Sequence, residues 1–265
     1  MLLFTGGKNI WYTDSGEGDA IILLHGYLES SEVWDSFAEK LAGSFRVICV
    51  DLPGHGLSDI YGGTHTMEFM AGVVRDLCMK LSLEKVFLAG HSLGGYVALA
   101  FVELFPENLS GYCLFHSHPL PDSPEAIQKR KREITIVEAG KKDIMYPENV
   151  EKMFATANID TFRLAVERSR QIAARIPDEG IIAVLNGMMQ RPSRVGVMEK
   201  GIVPCLWILG AMDNYIPCDT IRETVKLPVN AKVVVLENSG HMGFVEEESL
   251  SVKILTEFAG SLKAF

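Results

Sequence analysis

The sequence predicts an α/β fold: a mostly parallel central sheet with helices on both faces and a helical segment inserted in the middle of the chain. Three observations predict it. Six short runs are apolar nearly throughout, the pattern of strands covered on both faces. Amphipathic stretches at helical spacing lie between the early runs, and such alternation implies parallel strands joined by helical crossovers. The rhythm then lapses between Ser117 and about Val195, where helix signals continue without a strong strand.

At the N-terminus, "LLFT", a turn at Gly6-Gly7 and "NIWYT" read as a hairpin. The six strand runs follow: "AIILLH" (20–25), "FRVICV" (45–50), "KVFLAG" (85–90), "GYCLFH" (111–116), "PCLWIL" (204–209) and "AKVVVLE" (231–237). Trp34, Phe37, Ala38 and Leu41 repeat at helical spacing, as do Met67, Met70, Val74, Leu77 and Leu81 behind a Thr66 N-cap. Within the insertion, Ser123-Pro124 reads as N-cap and first helical residue, Pro147-Glu148 and Asp160 as further helix starts, and Pro177 as a stop. The expected organisation is a core of residues 1–116 and 196–265 and a helical cap of residues 117–195. The basic run "KRKR" at 129–132 reads as a solvated helix face.

A chain of 265 residues, 48% hydrophobic and 22% charged, is long enough to bury a sizeable core without staples. Its net charge of −9 argues against a nucleic-acid partner, which would need a basic face. The five cysteines are odd in number and widely spaced, mostly within apolar runs, so they read as buried thiols rather than a disulfide or zinc framework. No signal peptide and no membrane span are expected, which points to a cytoplasmic protein. No motif assigns an oligomeric state.

The stretch "VFLAGHSLGGYVALAF" (86–101) sets a lone serine among glycines between a strand run and a helix run. Its "GHSLG" matches G-x-S-x-G, a pattern that lifts the serine hydroxyl above the carboxyl edge of a sheet on a strained turn. Glycines on either side relieve the crowding there. A serine hydroxyl is protonated at neutral pH, so it needs a base. Seven histidines are available. His241, in the small-residue loop "NSGHMG" after the last strand, is free to reach over the sheet edge. Asp213, just past "PCLWILGAM", completes the order Ser, Asp, His and would hold the tautomer of His241. Asp51 precedes the serine and reads as a loop organiser, and Asp219 reads as a helix cap.

Of the other histidines, His91 is expected to pack behind the serine and His25 to brace the following loop. His55 is expected to pack in its Gly-rich loop and His65 to lie on the surface. His116 and His118 leave a strand toward the insertion and are candidates for the pocket wall. No ligand constellation calls for a metal, and no cofactor is expected.

Together these segments resemble the lid-bearing serine hydrolases of the α/β-hydrolase family, over nearly the whole chain. "LLHGY" (23–27) is similar to the family's oxyanion loop and "DLPGHGLS" (51–58) to the loop after the next strand. "GHSLGG" resembles the nucleophile elbow, "GAMDNYIP" (210–217) the acid loop and "SGHM" (239–242) the histidine loop.

The resemblance implies a Ser92–His241–Asp213 triad, with the backbone N–H groups of Tyr27 and Leu93 as oxyanion donors. It implies a pocket between cap and core, for which His25, His91, His116, His118, Met188 and Met189 are candidate neighbours. Ile182 and Leu185 belong to the same apolar stretch, and the cap residues Arg163, Arg170, Arg191 and Arg194 could meet a substrate carboxylate.

The expected chemistry is hydrolysis of a carboxylic ester or thioester of a small hydrophobic molecule through an acyl-enzyme. The alternatives are a C–C bond hydrolase or lyase using the same triad, or a ligand-binding receptor on a hydrolase scaffold. Lyases of menaquinone synthesis in this family carry a basic residue just after the Gly-Gly of the elbow, where this chain has Tyr96. A serine at position 92 also departs from the relatives that open epoxides or displace halides with a carboxylate.

Overall fold

The structure is a computed structural model, and it describes residues 1–218 and 225–262. Asp219 lies outside the described residues. Eight strands form one sheet in the order β1-β2-β4-β3-β5-β6-β7-β8. They are β1 (Leu2–Thr5), β2 (Lys8–Ser15), β3 (Ala20–Leu24), β4 (Arg46–Val50), β5 (Val86–His91), β6 (Leu109–Phe115), β7 (Cys205–Gly210) and β8 (Ala231–Leu236). The hairpin β1–β2 pairs antiparallel and joins β4 antiparallel; all other pairings are parallel. The loops that follow β3, β5, β6, β7 and β8 therefore gather at one edge.

The central strands explain the apolar runs. Every residue of β3 and β5 is buried, because helices cover both faces. On one face α2 (Met67–Lys80) packs on α3 (Leu93–Leu104) over Ile22, Leu24, Leu88 and Leu114. On the other, α1 (Asp35–Leu41) and the closing helix Glu248–Ser261 cover Ile21, Leu23 and Phe115. Trp34 stacks on Phe244 there, with ring centroids 4.2 Å apart, next to Phe37 and Phe115. Thr66 accepts a hydrogen bond from the N–H of Phe69 and starts α2, as its sequence position predicts.

Between β6 and β7 the chain forms five helices: α4 (Pro124–Glu138), α5 (Lys142–Glu151), α6 (Arg163–Arg175), α7 (Asp178–Gln190) and α8 (Val195–Glu199). Ser123 caps α4 through the N–H of Ala126. Two helix starts differ from expectation. Pro147 lies inside α5, within its first two turns, and α6 begins at Arg163 behind Phe162 rather than at Asp160. His65, expected on the surface, is fully buried. The chain folds back so that His65 Nδ1 donates to Pro53 O at 3.0 Å and Nε2 accepts from Tyr61 N–H at 3.1 Å. None of the helices described is long and apolar enough to cross a membrane.

The tightest backbone approach lies where β5 turns into α3. A Cβ built on Gly90 would fall 2.2 Å from the carbonyl of Gly94, and one on Gly94 would fall 2.4 Å from the carbonyl oxygen of Leu24. These contacts are with backbone, which cannot swing aside as a side chain can. Gly94→Ala is therefore expected to lose about 2 kcal/mol of stability, read as a lower urea midpoint at unchanged slope. An unshifted midpoint would show that the crossing is slack.

Candidate active site

Ser92 lies at the tight crossing, with φ 48° and ψ −109°, a conformation that non-glycine residues rarely adopt. Holding it there costs about 1–3 kcal/mol, so the surroundings must over-determine it. They do so from the neighbouring strand. The Ser92 N–H donates to Phe115 O at 3.0 Å, and the Ser117 hydroxyl donates to Ser92 O at 2.7 Å. Trp207 Nε1 in turn donates to Ser117 O at 2.8 Å. The hydroxyl of Ser92 opens into a cavity of 370 Å³ between the sheet edge and the inserted helices.

His241 lines the same cavity. Its loop is held mainly by two acids just before the closing helix. Gly240 N–H donates to Glu246 at 2.8 Å, Asn238 N–H to Glu247 at 2.9 Å, and His241 N–H to Met153 O at 2.7 Å. His241 Nδ1 donates to Asp213 Oδ2 at 2.7 Å, which leaves Nε2 as the basic nitrogen. No hydrogen bond joins Nε2 to the Ser92 hydroxyl among the described residues; both border the open cavity, where such bonds commonly close only around substrate.

Asp213 is fully engaged. Its Oδ1 accepts N–H groups from Tyr215 at 2.7 Å and Ile216 at 2.9 Å. Burial alone would raise its carboxyl, but His241 and His116 outweigh burial and hold it well below the usual range. Burial likewise works against a charged His241, yet the charge of Asp213 and the hydrogen bond to it leave that imidazole above its ordinary value of 6.5. The acid–imidazole pair is thus arranged to stabilise an imidazolium when it forms.

His116, placed by the sequence near the pocket wall, lies behind the pair instead. Its Nε2 accepts from Gly243 N–H at 3.2 Å, so its proton sits on Nδ1, 3.6 Å from Asp213. That distance makes an electrostatic contact rather than a hydrogen bond. Burial pushes His116 down to about 4, so it is neutral near pH 7. His116, Asp213 and His241 present atoms within 4.8 Å of one another, a spacing a cation could span. Both Nδ1 atoms face the carboxylate as proton carriers, however, and an ion would have to displace those protons.

His25 and His91 are also buried away from the cavity. His25 braces the loop, with Nδ1 donating to Gly26 O at 2.8 Å and Nε2 accepting from Leu52 N–H at 2.9 Å. His91 does more than pack. Its Nε2 donates to the carbonyl of His241 at 2.9 Å, and its Nδ1 meets Glu29 Oε2 at 2.8 Å. The same Glu29 oxygen accepts from Gly26 N–H at 2.5 Å. Burial would raise the Glu29 carboxyl, but His91 and the N–H of Gly26 outweigh it and hold it below its ordinary value. This chain of contacts ties the loop holding Tyr27 to the backbone of His241. Glu29 leaves no mark in the sequence: within "GYLESSE" it looks like any solvated loop acid until the fold buries it against His91.

Tyr27 lines the cavity, and Leu93, buried beneath it, begins the helix after Ser92. Their N–H groups make no hydrogen bond among the described residues, which leaves both free for an oxyanion. Of the remaining pocket candidates, His118 and Met188 line the cavity, and the half-buried Met189 does not. His118 Nδ1 accepts from Leu120 N–H at 3.2 Å, so its Nε2 carries the proton and donates to the Tyr96 hydroxyl at 3.1 Å. Burial, aided by Arg191, pushes His118 down to about 3.

Lys129 and Arg130 also line the cavity, against the expectation of a wholly solvated "KRKR" face. Arg130 is turned inward by Asp122, a partner eight residues earlier that α4 brings alongside. Of the four arginines that could meet a substrate, only Arg191 borders the cavity. Arg170 and Arg194 are engaged with Glu151 and with Glu68 and Glu103, and Arg163 does not line it.

Comparison with known proteins agrees with this architecture. A family model for the alpha/beta hydrolase fold matches residues 19–135. A Bacillus subtilis (strain 168) protein, provisionally named a 2-succinyl-6-hydroxy-2,4-cyclohexadiene-1-carboxylate synthase, is 28% identical over 97% of this chain and 98% of its own. A pimeloyl-[acyl-carrier protein] methyl ester esterase of Salmonella newport (strain SL254) is 27% identical over 96% of this chain and all of its own. Among solved structures, a thermophilic esterase from Thermogutta terrifontis superposes with a TM-score of 0.93 at 28% identity, over 100% of this chain and 99% of that one. With the sheet order, the turn at Ser92 and these full-length likenesses in agreement, the chain has the α/β-hydrolase fold.

Proposed function

We propose that this protein is a hydrolase of the ester type that cleaves a carboxylic ester or thioester of a small, largely apolar substrate through an acyl-enzyme. One observation carries the reading: Ser92 on its strained turn opens into a cavity shared with His241, whose other ring nitrogen is bound to a buried carboxylate at 2.7 Å. The esterases of Salmonella and Thermogutta support the class of bond. A 370 Å³ cavity suits a small molecule.

In this reading the Ser92 oxygen attacks the ester carbonyl carbon while His241 Nε2 takes the hydroxyl proton. The carbonyl oxygen becomes an oxyanion and is met by the N–H groups of Tyr27 and Leu93. The resulting imidazolium is stabilised by Asp213, then returns the proton to the departing alcohol or thiol. Water, deprotonated by the same nitrogen, attacks the acyl-Ser92 ester and releases the acid. Glu29 and His91 position this machinery by holding the oxyanion loop against the His241 backbone.

A second reading, a lyase or C–C bond hydrolase on the same three residues, is favoured by the provisional name of the Bacillus relative. The basic group missing at Tyr96 is supplied from elsewhere: the Arg191 guanidinium lies over the Tyr96 ring, 4.0 Å from its centroid. Rapid turnover of a diketone with poor turnover of simple esters would select this reading over the first.

Ser92→Ala is expected to lower kcat on a short p-nitrophenyl ester by about 10⁴-fold or more while leaving the unfolding curve in place. Activity retained in that variant would reject the nucleophile. Because the base must be neutral, kcat/KM should rise with pH, with a midpoint above the ordinary histidine value of about 6.5. Asp213→Asn removes the charge that raises His241, so the same limb should move to lower pH while the plateau falls by about 10⁴-fold. An acid limb that stays put in Asp213→Asn would show that another group governs it.

A further inference from the structure

The wall that the inserted helices give to the cavity is unbalanced in charge. Arg130 on α4 and Arg191 just past α7 both engage the single carboxylate of Asp122. Arg130 donates from Nε at 2.6 Å and from Nη2 at 3.1 Å, and Arg191 donates from Nη1 at 2.6 Å. The Asp122 side chain is 2% exposed and that of Arg191 3%, so solvent screens this cluster little. One carboxylate neutralises one guanidinium. The other contacts of Arg191 are neutral: the carbonyls of Leu120 and Met188 and the face of Tyr96.

Lys129 adds a third cation. Its Nζ makes no ion pair among the described residues and lies 5.4 Å from the centroid of the Tyr215 ring, which itself lies 5.4 Å from that of His241. The remaining acid of the lining is Glu133, whose carboxyl burial raises and whose hydrogen-bond contact is the Tyr27 hydroxyl at 3.5 Å. With Glu133 fully ionised, three cations still face two carboxylates; with Glu133 protonated, they face one.

Tying the loop before α4 to the end of α7 needs only the Asp122–Arg191 pair. The second guanidinium and the lysine have no such task, and they border the cavity that holds Ser92. Arg130 Nη1 and Arg191 Nη2 make no hydrogen bond among the described residues, so donors remain for a further acceptor.

We propose that Lys129, Arg130 and Arg191 form a subsite for a carboxylate carried by the substrate, so that the ester cleaved belongs to a small molecule with a second, ionised carboxyl group. This rests on the ester-hydrolase reading above and narrows it. Charge-assisted hydrogen bonds supply the selectivity, and the apolar remainder of the cavity holds the chain between the two ends.

The test compares mono-p-nitrophenyl glutarate with its neutral methyl ester, methyl p-nitrophenyl glutarate, on the full-length protein. Wild type should show kcat/KM for the anion about tenfold or more above the neutral ester at low salt, and the ratio should shrink as salt is added. Lys129→Gln and the double variant with Arg130→Gln should lower the ratio stepwise, while Lys253→Gln, on the exposed face of the closing helix, should not. The neutral ester reports folding and the triad within each variant. A ratio at or below one in wild type, or a ratio unchanged in the double variant, overturns the subsite.

Calorimetry with free glutarate separates this from failure of the hydrolase reading. Binding that weakens about tenfold in the double variant supports the subsite even where neither ester is turned over. The absence of any binding to wild type overturns it.

Discussion

A backbone crossing governs this molecule: β5 turns into α3 with carbonyl groups packed so closely that Gly90 and Gly94 have no room for a Cβ. That crowding forces Ser92 into a left-handed conformation and aims its hydroxyl away from the sheet. The site inherits its rigidity from the same place. Phe115, Ser117 and Trp207, on or beside two neighbouring strands, hold the turn by hydrogen bonds, so the strain is met by the core rather than by a loop.

Around the turn, proton positions are set by geometry more than by residue type. Four buried imidazoles (His25, His91, His116 and His241) and the half-buried His118 share one region of the sheet edge, yet each meets a different pair of partners. His116 and His118 are each driven neutral by burial; Asp213 acts on both His116 and His241 but outweighs burial only at His241. The Glu29–His91 contact adds a mechanical link, because the carbonyl it grips belongs to His241 and the amide it grips belongs to Gly26. Loops from β3, β5 and β8 are thereby fastened into one unit.

The inserted helices supply a different kind of constraint. Their cavity-facing side is built on a carboxylate shared by two guanidiniums, a cluster that joins sequence positions 122, 130 and 191. Such a cluster joins the loop before α4 to the end of α7 and leaves positive charge on the cavity that Ser92 borders. The core and the insertion therefore contribute differently to the cavity: the core places Ser92 and His241 at its floor, and the insertion supplies its charged wall.

The sequence by itself determined the strand runs, because residues buried on both faces must be apolar, and the capped helices at Thr66 and Ser123, because capping is local. It also singled out Ser92, Asp213 and His241, since a tight strand-to-helix turn and two loops at later strand ends leave marks in short stretches. Only the tertiary structure decided which histidines face the cavity, that His65 is buried, that Glu29 grips His91, and that Lys129 and Arg130 turn inward. Those outcomes depend on partners up to about 150 positions away, such as His91 with His241. A charge on a helix looks solvated in the sequence until the fold brings a carboxylate beside it.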